Sequence, residues 1–453
     1  MSTKHSKAAA EFLKNKKQAA WHDETLWLVR AKRDRLSKEV PEWEELRNMA
    51  CATKLYSNSH LDELLVEFEN NARANGAHVY WAKDADEYCN IVYNILNQHG
   101  VKHFIKSKSM LAEECELNPF LENKGIEVVE SDLGERILQL MHLKPSHIVL
   151  PAIHIKREQV GELFEREMGT EKGNFDPTYL THAARKNLRQ KFIHAEAAMT
   201  GANFAVASTG EIVVCTNEGN ADMGTSQPKL QIAAFGMEKI VPDRESLGVF
   251  TRLLARSATG QPITTYTSHY RKPREGGELH IIIVDNGRSK ILADQKHIKT
   301  LNCIRCGACM NTCPVYRRSG GYSYTYFIPG PIGINLGMLK APLHYYDNVS
   351  ACSLCYSCSF VCPAKVDLAE QIYLWRQDLD KLGKADRMKR VMSGGMEFMM
   401  NRPLIFNMAL KWAPLVNGMP RFLIYNGLND WGKGVRCRNL LRRVSMKCGR
   451  KVK

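Results

Sequence analysis

The spacing of apolar residues divides the chain into a helical beginning and a middle part in which strands and helices alternate. In residues 1–70 apolar side chains recur at helical intervals, and Pro41 interrupts the pattern. From about residue 77 short apolar runs alternate with helix-length segments such as 85–98. The runs that we predict as strands are 78–81, 103–106, 126–129, 147–150, 204–207, 212–215, 231–235 and 279–284. Strands separated by helices predict an α/β domain with a mostly parallel sheet.

The strand pattern is interrupted in the middle of this domain and ends before residue 291. Residues 153–200 read as mostly helical, which predicts an insertion over one face of the sheet. Residues 368–382 are again helical in pattern, and they follow a long cysteine-containing segment. We therefore predict four parts: a helical N-terminal extension (1–70), an α/β domain (71–290), a helical cysteine-rich module (291–382) and a basic, partly apolar C-terminal extension (383–453).

Composition indicates the cellular compartment of the protein. The chain has 453 residues, of which 44% are hydrophobic and 25% charged, as in ordinary globular proteins. No run approaches the ~20 apolar residues of a membrane span, and the basic N-terminus lacks the apolar core of a secretory signal. These features and the many cysteines without an obvious disulfide pattern predict a cytoplasmic protein.

The basic charge is concentrated at the C-terminus. Of the net charge of +15, nine positive charges fall in residues 433–453, where no acidic residue interrupts them. Apolar Met, Phe and Trp side chains precede them in residues 396–422. This combination is compatible with peripheral contact at the anionic inner face of a membrane or with an acidic partner. Nucleic acid is not expected, because no binding motif accompanies the charge.

Eight of the fourteen cysteines form two copies of one pattern, C-x2-C-x2-C-x3-C-P. This run holds cubane iron–sulfur clusters in bacterial ferredoxins, because closely spaced thiolates can occupy three corners of one cube. In two-cluster proteins the fourth cysteine of each run serves the other cluster. The first predicted [4Fe–4S] site is Cys303, Cys306, Cys309 and Cys362, and the second is Cys352, Cys355, Cys358 and Cys313.

Zinc is the alternative metal, but it favours two cysteine pairs over a triplet followed by Cys-Pro. The wide interval between the motifs favours a helical ferredoxin module over a compact hairpin core. The other cysteines are scattered and read as small buried apolar residues: Cys51, Cys89, Cys115, Cys215, Cys437 and Cys448. The chain is thus predicted to transfer electrons singly through two clusters.

Two polar segments of the α/β domain follow predicted strands, where ligands collect in open sheets. Ser107 and Lys108 could hold a phosphate or carboxylate, but a helix cap beside a solvated lysine is the preferred interpretation. Asn217, Glu218 and Asn220 could form a ligand site with Glu218 as an acid, base or nucleophile. A turn is the simpler interpretation of that segment, since Asn and Gly dominate turns.

Charged residues near the cysteine module have a structural and a redox interpretation. Residues 285–288 read as a turn or hinge before the module, with Arg288 as a candidate inter-domain contact. Arg305 and Lys365 place positive charge beside the cluster motifs, where charge tunes the reduction potential. The isolated histidines at 147, 154 and 194 receive no role.

Several sequence blocks, taken together, resemble a known family. They are residues 107–110, 125–130, 132–135, 217–220, 236–242, 285–288 and 330–333, which appear in this order. The chain resembles LutB-type iron–sulfur proteins of bacterial lactate utilisation over roughly residues 70–380. In this resemblance the α/β part is a LUD domain, similar to the sugar-phosphate isomerase and CoA-transferase superfold. One departure is Asp222, where many members have an arginine.

The resemblance implies an electron-transfer subunit of an L-lactate-oxidising dehydrogenase complex. Its expected partners are a cysteine-rich iron–sulfur subunit and a smaller LUD-domain subunit, with a downstream acceptor such as quinone. An alternative is an enzyme in which the LUD domain acts on a small carboxylate or CoA ester, with Glu218 catalytic and the clusters regulatory. The cysteine spacing itself indicates the clusters only.

Overall fold

The N-terminal part of the chain consists of helices. A computed structural model describes residues 4–384 and 387–412. The first four helices are α1 (Lys4–Phe12), α2 (Lys16–Lys38), α3 (Trp43–Ser59) and α4 (Leu61–Ala74). Asn15 caps α2 by accepting a hydrogen bond from the Gln18 N–H, and the helix ends before Pro41, as the pattern predicts.

Strands and helices alternate through the α/β domain. In chain order they are β1 (His78–Ala82), α5 (Ala85–Gln98), β2 (His103–Lys106), α6 (Met110–Glu114), α7 (Leu117–Glu122), β3 (Glu127–Glu130), α8 (Leu133–Leu140), α9 (Arg157–Met168), α10 (Pro177–Ile193), β4 (Ala197–Gly201), β5 (Phe204–Val206), β6 (Glu211–Thr216), α11 (Asn220–Ser226), β7 (Leu230–Gly236), a 3-10 turn (Met237–Lys239), β8 (Ile240–Val241), α12 (Arg244–Ala258), β9 (Tyr266–Tyr270), β10 (Glu278–Val284) and α13 (Arg288–Leu292). Six strands form a parallel sheet in the order β1-β10-β7-β4-β2-β3, and four form a second, mixed sheet in the order β8-β5-β6-β9. The predicted α/β fold is confirmed.

The parallel sheet is buried on both faces because its central strands are apolar throughout. Strand β7 is fully buried along its length, and so is β10 apart from its first residue. Alternate residues of β10 face opposite sides, so Ile282 packs in the cluster that contains Tyr88 of α5. Ile283 packs on the other side with Phe68 of α4, whose ring meets Phe235 edge-on at 5.1 Å. The polar groups at the carboxyl edge are therefore held by a rigid frame.

One predicted strand is wrong, and three observed strands are absent from the prediction. Residues 147–150 form bends between Pro145 and Pro151, because the His147 ring accepts the backbone N–H groups of Val149 and Leu150, each at 3.0 Å. Strand β4 carries small residues inside a segment predicted as helical. Strand β8 is only two residues long, and β9 is polar and partly exposed, so neither gives an apolar signal.

The cysteine-rich module is helical, as predicted. It contains a 3-10 turn (Ile298–Asn302), α14 (Ala308–Thr312), α15 (Pro314–Ser319), a second 3-10 turn (Gly321–Ser323), α16 (Gly330–Lys340), α17 (Pro342–Tyr345), α18 (Asp347–Ala351), α19 (Ser357–Val361) and α20 (Leu368–Lys381). No strand occurs between residues 293 and 384. Helices α14 and α19 pack against each other, and α2 packs on both α14 and α15.

Two helices form the described part of the C-terminal extension, α21 (Arg387–Met400) and α22 (Pro403–Trp412), which pack against each other. Apolar side chains on them are exposed, namely Val391, Met392, Met396, Phe398, Met400, Leu404, Met408 and Leu410. In the part of the chain that the structure describes, no helix has the length and apolar character needed to cross a bilayer. The basic segment 433–453, Cys437 and Cys448 lie outside that part.

A buried ion pair joins two parallel strands at the carboxyl edge. Lys106 ends β2 and Glu130 ends β3; they are register partners, and Lys106 Nζ lies 2.7 Å from Glu130 Oε1. Their side chains are 0% and 3% exposed. Neither charge can therefore be solvated if the other is removed.

We predict that Lys106→Met lowers the free energy of unfolding by about 3–5 kcal/mol, because it leaves the Glu130 carboxylate buried without its cation. Urea unfolding followed by far-UV circular dichroism measures the change. The matched control is Lys102→Met, at an exposed position just before β2, which is expected to stay near wild type. Equal stability of the two variants would contradict the importance of the pair.

Candidate functional site

The carboxyl edge of the parallel sheet opens into a cavity of about 560 Å³. Its wall combines segments that follow β2, β3, β6, β7 and β10, which is the usual place for ligands in open α/β sheets. All five candidates from the sequence line it: Ser107, Lys108, Asn217, Glu218 and Asn220. The structure thus brings two segments that are far apart in sequence to one site.

Lys108 is held by an ion pair and is not the solvated cation considered above. Its Nζ lies 2.8 Å from Glu135 Oε1 and donates to the Val149 carbonyl at 3.3 Å. The neighbouring Ser109 does act as a helix cap, since its hydroxyl accepts the Ala112 N–H at the start of α6. A helix cap is therefore present at Ser109, whereas the interpretation of Lys108 as a solvated lysine is wrong.

Two carboxyl groups beside Lys108 share a hydrogen bond. Burial raises the pKa of Glu135 well above its usual value, and the nearby Asp132 raises it further. Although burial opposes it, the hydrogen bond with Glu135 and the charge of Lys108 lower the pKa of Asp132. Glu135 therefore carries the proton and donates it to ionised Asp132, which also accepts from Asn220 Nδ2 at 3.3 Å.

Glu218 lies at the mouth of the cavity with part of its surface exposed, and its carboxyl group is next to this carboxyl pair. Burial of its carboxyl group and the charge of Asp132 raise its pKa, while the Leu133 backbone N–H donates to it and lowers the pKa. Gly219 has φ +66° and permits the turn into α11, as a turn-based interpretation requires. Asn217 is tied to the opposite loop through a 3.0 Å bond to Gln261 Oε1. A raised carboxyl pKa suits proton transfer near neutral pH.

A buried charge network forms the other end of the cavity. Glu238 Oε2 lies 2.5 Å from Arg288 Nε, and Glu238 Oε1 lies 3.5 Å from Arg305 Nη2 in the first cysteine motif. Arg288 also pairs with Glu114 at 2.9 Å. A Cβ at Gly236 would come within 2.4 Å of Arg288 Nε, so only glycine fits there. The predicted inter-domain contact of Arg288 runs through Glu238.

The two cysteine motifs share one backbone conformation. The residue before the second cysteine has positive φ in both, 59° at Arg305 and 52° at Leu354. The residue after it also has positive φ, 75° at Gly307 and 60° at Tyr356. Left-handed residues therefore flank the middle cysteine of each motif, and both loops bend there in the same way. A short helix follows in each case, α14 or α19.

Backbone amides donate to four of the cysteine sulfurs, the first and the fourth of each motif. The N–H of Arg305 donates to Cys303 Sγ at 3.4 Å, and the N–H of Leu354 donates to Cys352 Sγ at 3.3 Å. The sulfurs of Cys313 and Cys362 accept from the amides of residues 316 and 366, each at 3.4 Å. Hydrogen bonds to sulfur stabilise thiolate and tune cluster potential, so the donor set fits iron–sulfur clusters.

The fourth cysteine of each motif lies with the triplet of the other motif. Cys303, Cys306, Cys309 and Cys362 line one small cavity, and Ile148 lines both this cavity and the large one. Burial raises the pKa of the Cys313 thiol to about 12, and the nearby Cys352 and Cys355 add to the shift. The first group is largely buried, whereas Cys355 of the second is exposed at the surface.

The N-terminal helices supply charges to the cysteine module that the sequence interpretation missed. Arg30 donates to the hydroxyls of Thr312 in α14 and Ser357 in α19. Arg33 Nη2 donates to the Val361 carbonyl at 3.2 Å, and Arg47 Nε donates to the Cys362 carbonyl at 3.0 Å. In sequence these arginines resemble the solvated charges of any helix surface. Spacing gives no signal of a contact across about 300 residues.

Two further contacts between residues distant in sequence hold the cysteine-rich module in place. They are made by Lys365 and His147. Lys365 Nζ lies 2.5 Å from Glu44 of α3, so its charge is paired rather than free beside the cluster. His147 received no role from the sequence, but it lies buried with Nε2 3.0 Å from Asn311 Oδ1 of α14. Its Nδ1 accepts two backbone N–H groups, so Nε2 carries the proton and donates to Asn311.

Comparison with known proteins agrees with this architecture. The sequence profile of the LUD domain family matches residues 65–291, and that of the 4Fe-4S dicluster domain matches residues 299–366. The chain is therefore an iron–sulfur protein that joins a LUD domain to a helical module for two [4Fe–4S] clusters, as the motifs predict.

Its relatives identify the family more narrowly. It is 41% identical over 386 residues to "Lactate utilization protein B" of Geobacillus thermodenitrificans, covering 83% of this chain and 81% of that protein. The protein of the same name from Bacillus pumilus is 42% identical over 388 residues (84% and 82%). Escherichia coli K12 "Uncharacterized electron transport protein YkgF" is 37% identical over 417 residues (89% and 87%). The chain belongs to the lactate utilization protein B family.

We predict that His147 makes the fold sensitive to acid. Burial lowers its pKa from 6.5 to about 3, so the folded protein keeps the ring neutral while the unfolded chain protonates it. Its contribution is fully present above pH 6.5 and is lost as the pH falls toward 3. Urea unfolding at pH 7.5 and pH 5 should show a smaller decrease for His147→Gln than for wild type.

The control for this measurement is His194→Gln, at an exposed histidine that only caps its own helix. It should show the wild-type decrease between the two pH values. Buried His5 and partly buried His154 also have pKa values lowered to about 4, so the His147 variant should reduce the decrease without abolishing it. An unchanged decrease in His147→Gln would show that its ring is not held neutral.

Proposed function

We propose that this chain is the electron-transfer subunit of a complex that oxidises L-lactate to pyruvate. The names of its relatives place them in lactate utilisation and in electron transport. The observation that carries the proposal is the position of the two thiol groups. One adjoins the sheet-edge cavity, and the other reaches the surface at Cys355.

We assign the ligand sets from the grouping of the thiols. Cluster 1 is held by the first triplet with the last cysteine of the second motif: Cys303, Cys306, Cys309 and Cys362. Cluster 2 is held by the second triplet with the last cysteine of the first motif: Cys352, Cys355, Cys358 and Cys313. This crossing is the arrangement of two-cluster ferredoxins. The cavity shared by the first set and the proximity of Cys313 to Cys352 and Cys355 support it.

We infer the direction of electron transfer from the unequal burial of the two thiol groups. Oxidation of L-lactate to pyruvate releases two electrons and two protons, and each cubane accepts one electron at a time. Ile148 lies between the cavity and cluster 1, so electrons from the cavity side reach this cluster first. They leave at cluster 2, where Cys355 is exposed and Phe360 is 76% exposed. Exposed aromatic residues are typical of partner interfaces.

The expected assembly completes this route. A cysteine-rich iron–sulfur subunit and a smaller LUD-domain subunit are the proposed partners, and the acceptor beyond cluster 2 is quinone or another carrier. The exposed apolar side chains of α21 and α22 are compatible with peripheral contact at the inner face of the membrane, where the basic segment 433–453 would meet anionic lipid.

A second function is favoured by the carboxyl groups in the cavity. Asp132, Glu135 and Glu218 form a proton-transfer site, which a LUD-domain enzyme for a small carboxylate or CoA ester would need. In that case Glu218 is catalytic and the clusters regulate the enzyme. Turnover of such a substrate by this chain alone, with the clusters kept oxidised, would favour the second function over electron transfer.

We predict a specific pattern of iron loss for pairs of cysteine substitutions. Because Cys306 and Cys362 hold the same cluster, Cys306→Ala/Cys362→Ala should lose about half of the iron, like either single variant. Because Cys306 and Cys313 hold different clusters, Cys306→Ala/Cys313→Ala should lose nearly all of it. Iron and sulfide analysis of anaerobically purified protein measures both.

The control pair is Cys89→Ala/Cys115→Ala, which replaces two buried cysteines outside the motifs and should keep all the iron. If each motif instead held its own cluster, the two test pairs would exchange their results. Complete iron loss in both pairs would mean that one cluster cannot form without the other, and the crossed assignment would lose its support.

We also predict that electron flow depends on both clusters in series. In the complex purified with its partners, Cys306→Ala and Cys355→Ala should each abolish L-lactate-dependent reduction of a dye acceptor, because each removes one step of the only route. Cys89→Ala is the control and should retain wild-type rates. Lactate-driven dye reduction at the wild-type rate in either cluster variant would exclude the proposed function.

A further inference from the structure

The cationic end of the large cavity has more positive charge than its neighbours balance. Three cations line this end, Lys239, Arg288 and Arg305, and Lys54 lies close to them without lining the cavity. The carboxylates that face these cations are Glu114 and Glu238. Within the described residues, Lys239 has neither an ion-pair nor a hydrogen-bond partner, although it lines the cavity. Unpaired cations in such a recess favour an anion.

Several residues of the cavity wall also have unsatisfied buried polar atoms. In the part of the chain that the structure describes, Arg305 Nη1, Thr216 Oγ1 and Asn220 Oδ1 have no hydrogen-bond partner. The Arg305 side chain is 10% exposed, so bulk water does not replace a partner. Buried polar groups in folded proteins are nearly always paired, so these atoms indicate a missing polar ligand. They lie on separate segments, β6, α11 and the first cysteine motif, around one space.

The rest of the wall suits an organic molecule. Apolar side chains line it between the two polar regions, among them Phe235, Leu254 and Ala258. Its volume of about 560 Å³ lies within the range of about 300–1,000 Å³ that is typical of small-molecule and cofactor sites. L-lactate alone would leave most of this volume to water, whereas a cofactor-sized anion would fill more of it.

We propose that the cavity binds an organic anion, with its carboxylate or phosphate group at Lys239 and Arg305 and its other polar groups at Thr216 and Asn220. The anion then lies against the wall that contains Ile148, beside cluster 1. The carboxylate of the substrate and the phosphate of a redox cofactor share this chemistry. The inference deepens the proposed function, because it assigns the ligand of the site that feeds cluster 1.

Cluster 1 is itself anionic, and this charge is the competing explanation for the cations. Thiolates give the cluster a net negative charge, and the Arg305 guanidinium is near Cys303. If the cations serve only the cluster, their removal changes its reduction potential and leaves anion binding unchanged. If they bind a ligand, the dissociation constant of that ligand must change.

The test is anaerobic calorimetry on the full-length protein with both clusters loaded. The probes are L-lactate, pyruvate and flavin mononucleotide, which separate a substrate carboxylate from a cofactor phosphate. Wild type should bind at least one of them. Lys239→Gln should raise the dissociation constant of that probe at least tenfold, because a charged hydrogen bond is lost, and Lys239→Arg should restore most of the binding.

The matched control is Lys272→Gln, an exposed lysine outside the cavity, which should bind as wild type does. Thr216→Val, which keeps the side-chain shape, should weaken binding severalfold and provides a second variant if Lys239→Gln misfolds. Iron content and circular dichroism identify misfolded samples, and potentiometric titration monitored by electron paramagnetic resonance gives the potential of cluster 1.

Two results would overturn the inference. The first is the absence of binding of all three probes to wild type. The second is an unchanged dissociation constant in both Lys239→Gln and Thr216→Val, with or without a shift in potential. Neither result removes the proposed electron route, which rests on the cysteine variants. Conversely, loss of that route with intact probe binding would retain the ligand site and reject the electron-transfer role.

Discussion

The buried carboxylate of Glu238 connects the three parts of the described core. It pairs with Arg288 of the α/β domain and Arg305 of the first cysteine motif, while Lys54 of α3 donates to its backbone carbonyl. Although burial opposes ionisation, the charges of Arg288 and Arg305 lower the pKa of Glu238 to about 2. Without this carboxylate several buried cations would face one another, so the sheet edge and the cysteine loop could not approach.

Most helices and strands could be predicted from the sequence, because their apolar patterns depend on local spacing. Strand β10 and helix α5 could be predicted since their apolar faces repeat with the periods of a strand and a helix. Strand β4 could not, because its small residues acquire strand character only between β2 and β7. The strand prediction for residues 147–150 was wrong for a related reason. The His147 side chain accepts the backbone N–H groups that a neighbouring strand would otherwise accept.

The residues of the site were likewise predictable where they depend on local spacing, but not where they depend on tertiary contacts. The cysteine motifs could be interpreted from sequence because ligand spacing within a loop is a local property. The position of Lys108 at a strand end was predictable, but its partner Glu135 was not, since two helices and a strand separate them in the chain. The arginines of α2 and α3 illustrate the limit, because only the tertiary fold shows that they face a cluster module.

The unequal burial of the two thiol groups affects how readily each would lose iron to oxygen or chelators and regain it. Oxygen and chelators arrive through solvent, so they meet the group with exposed Cys355 long before the group sealed behind Ile148 and Ile304. Damage should therefore start at the second thiol group, which is the exit side of the proposed electron route. By the same argument, iron lost from the outer thiol group could be replaced from solvent at exposed Cys355, whereas the three buried thiols of the inner group have no such access.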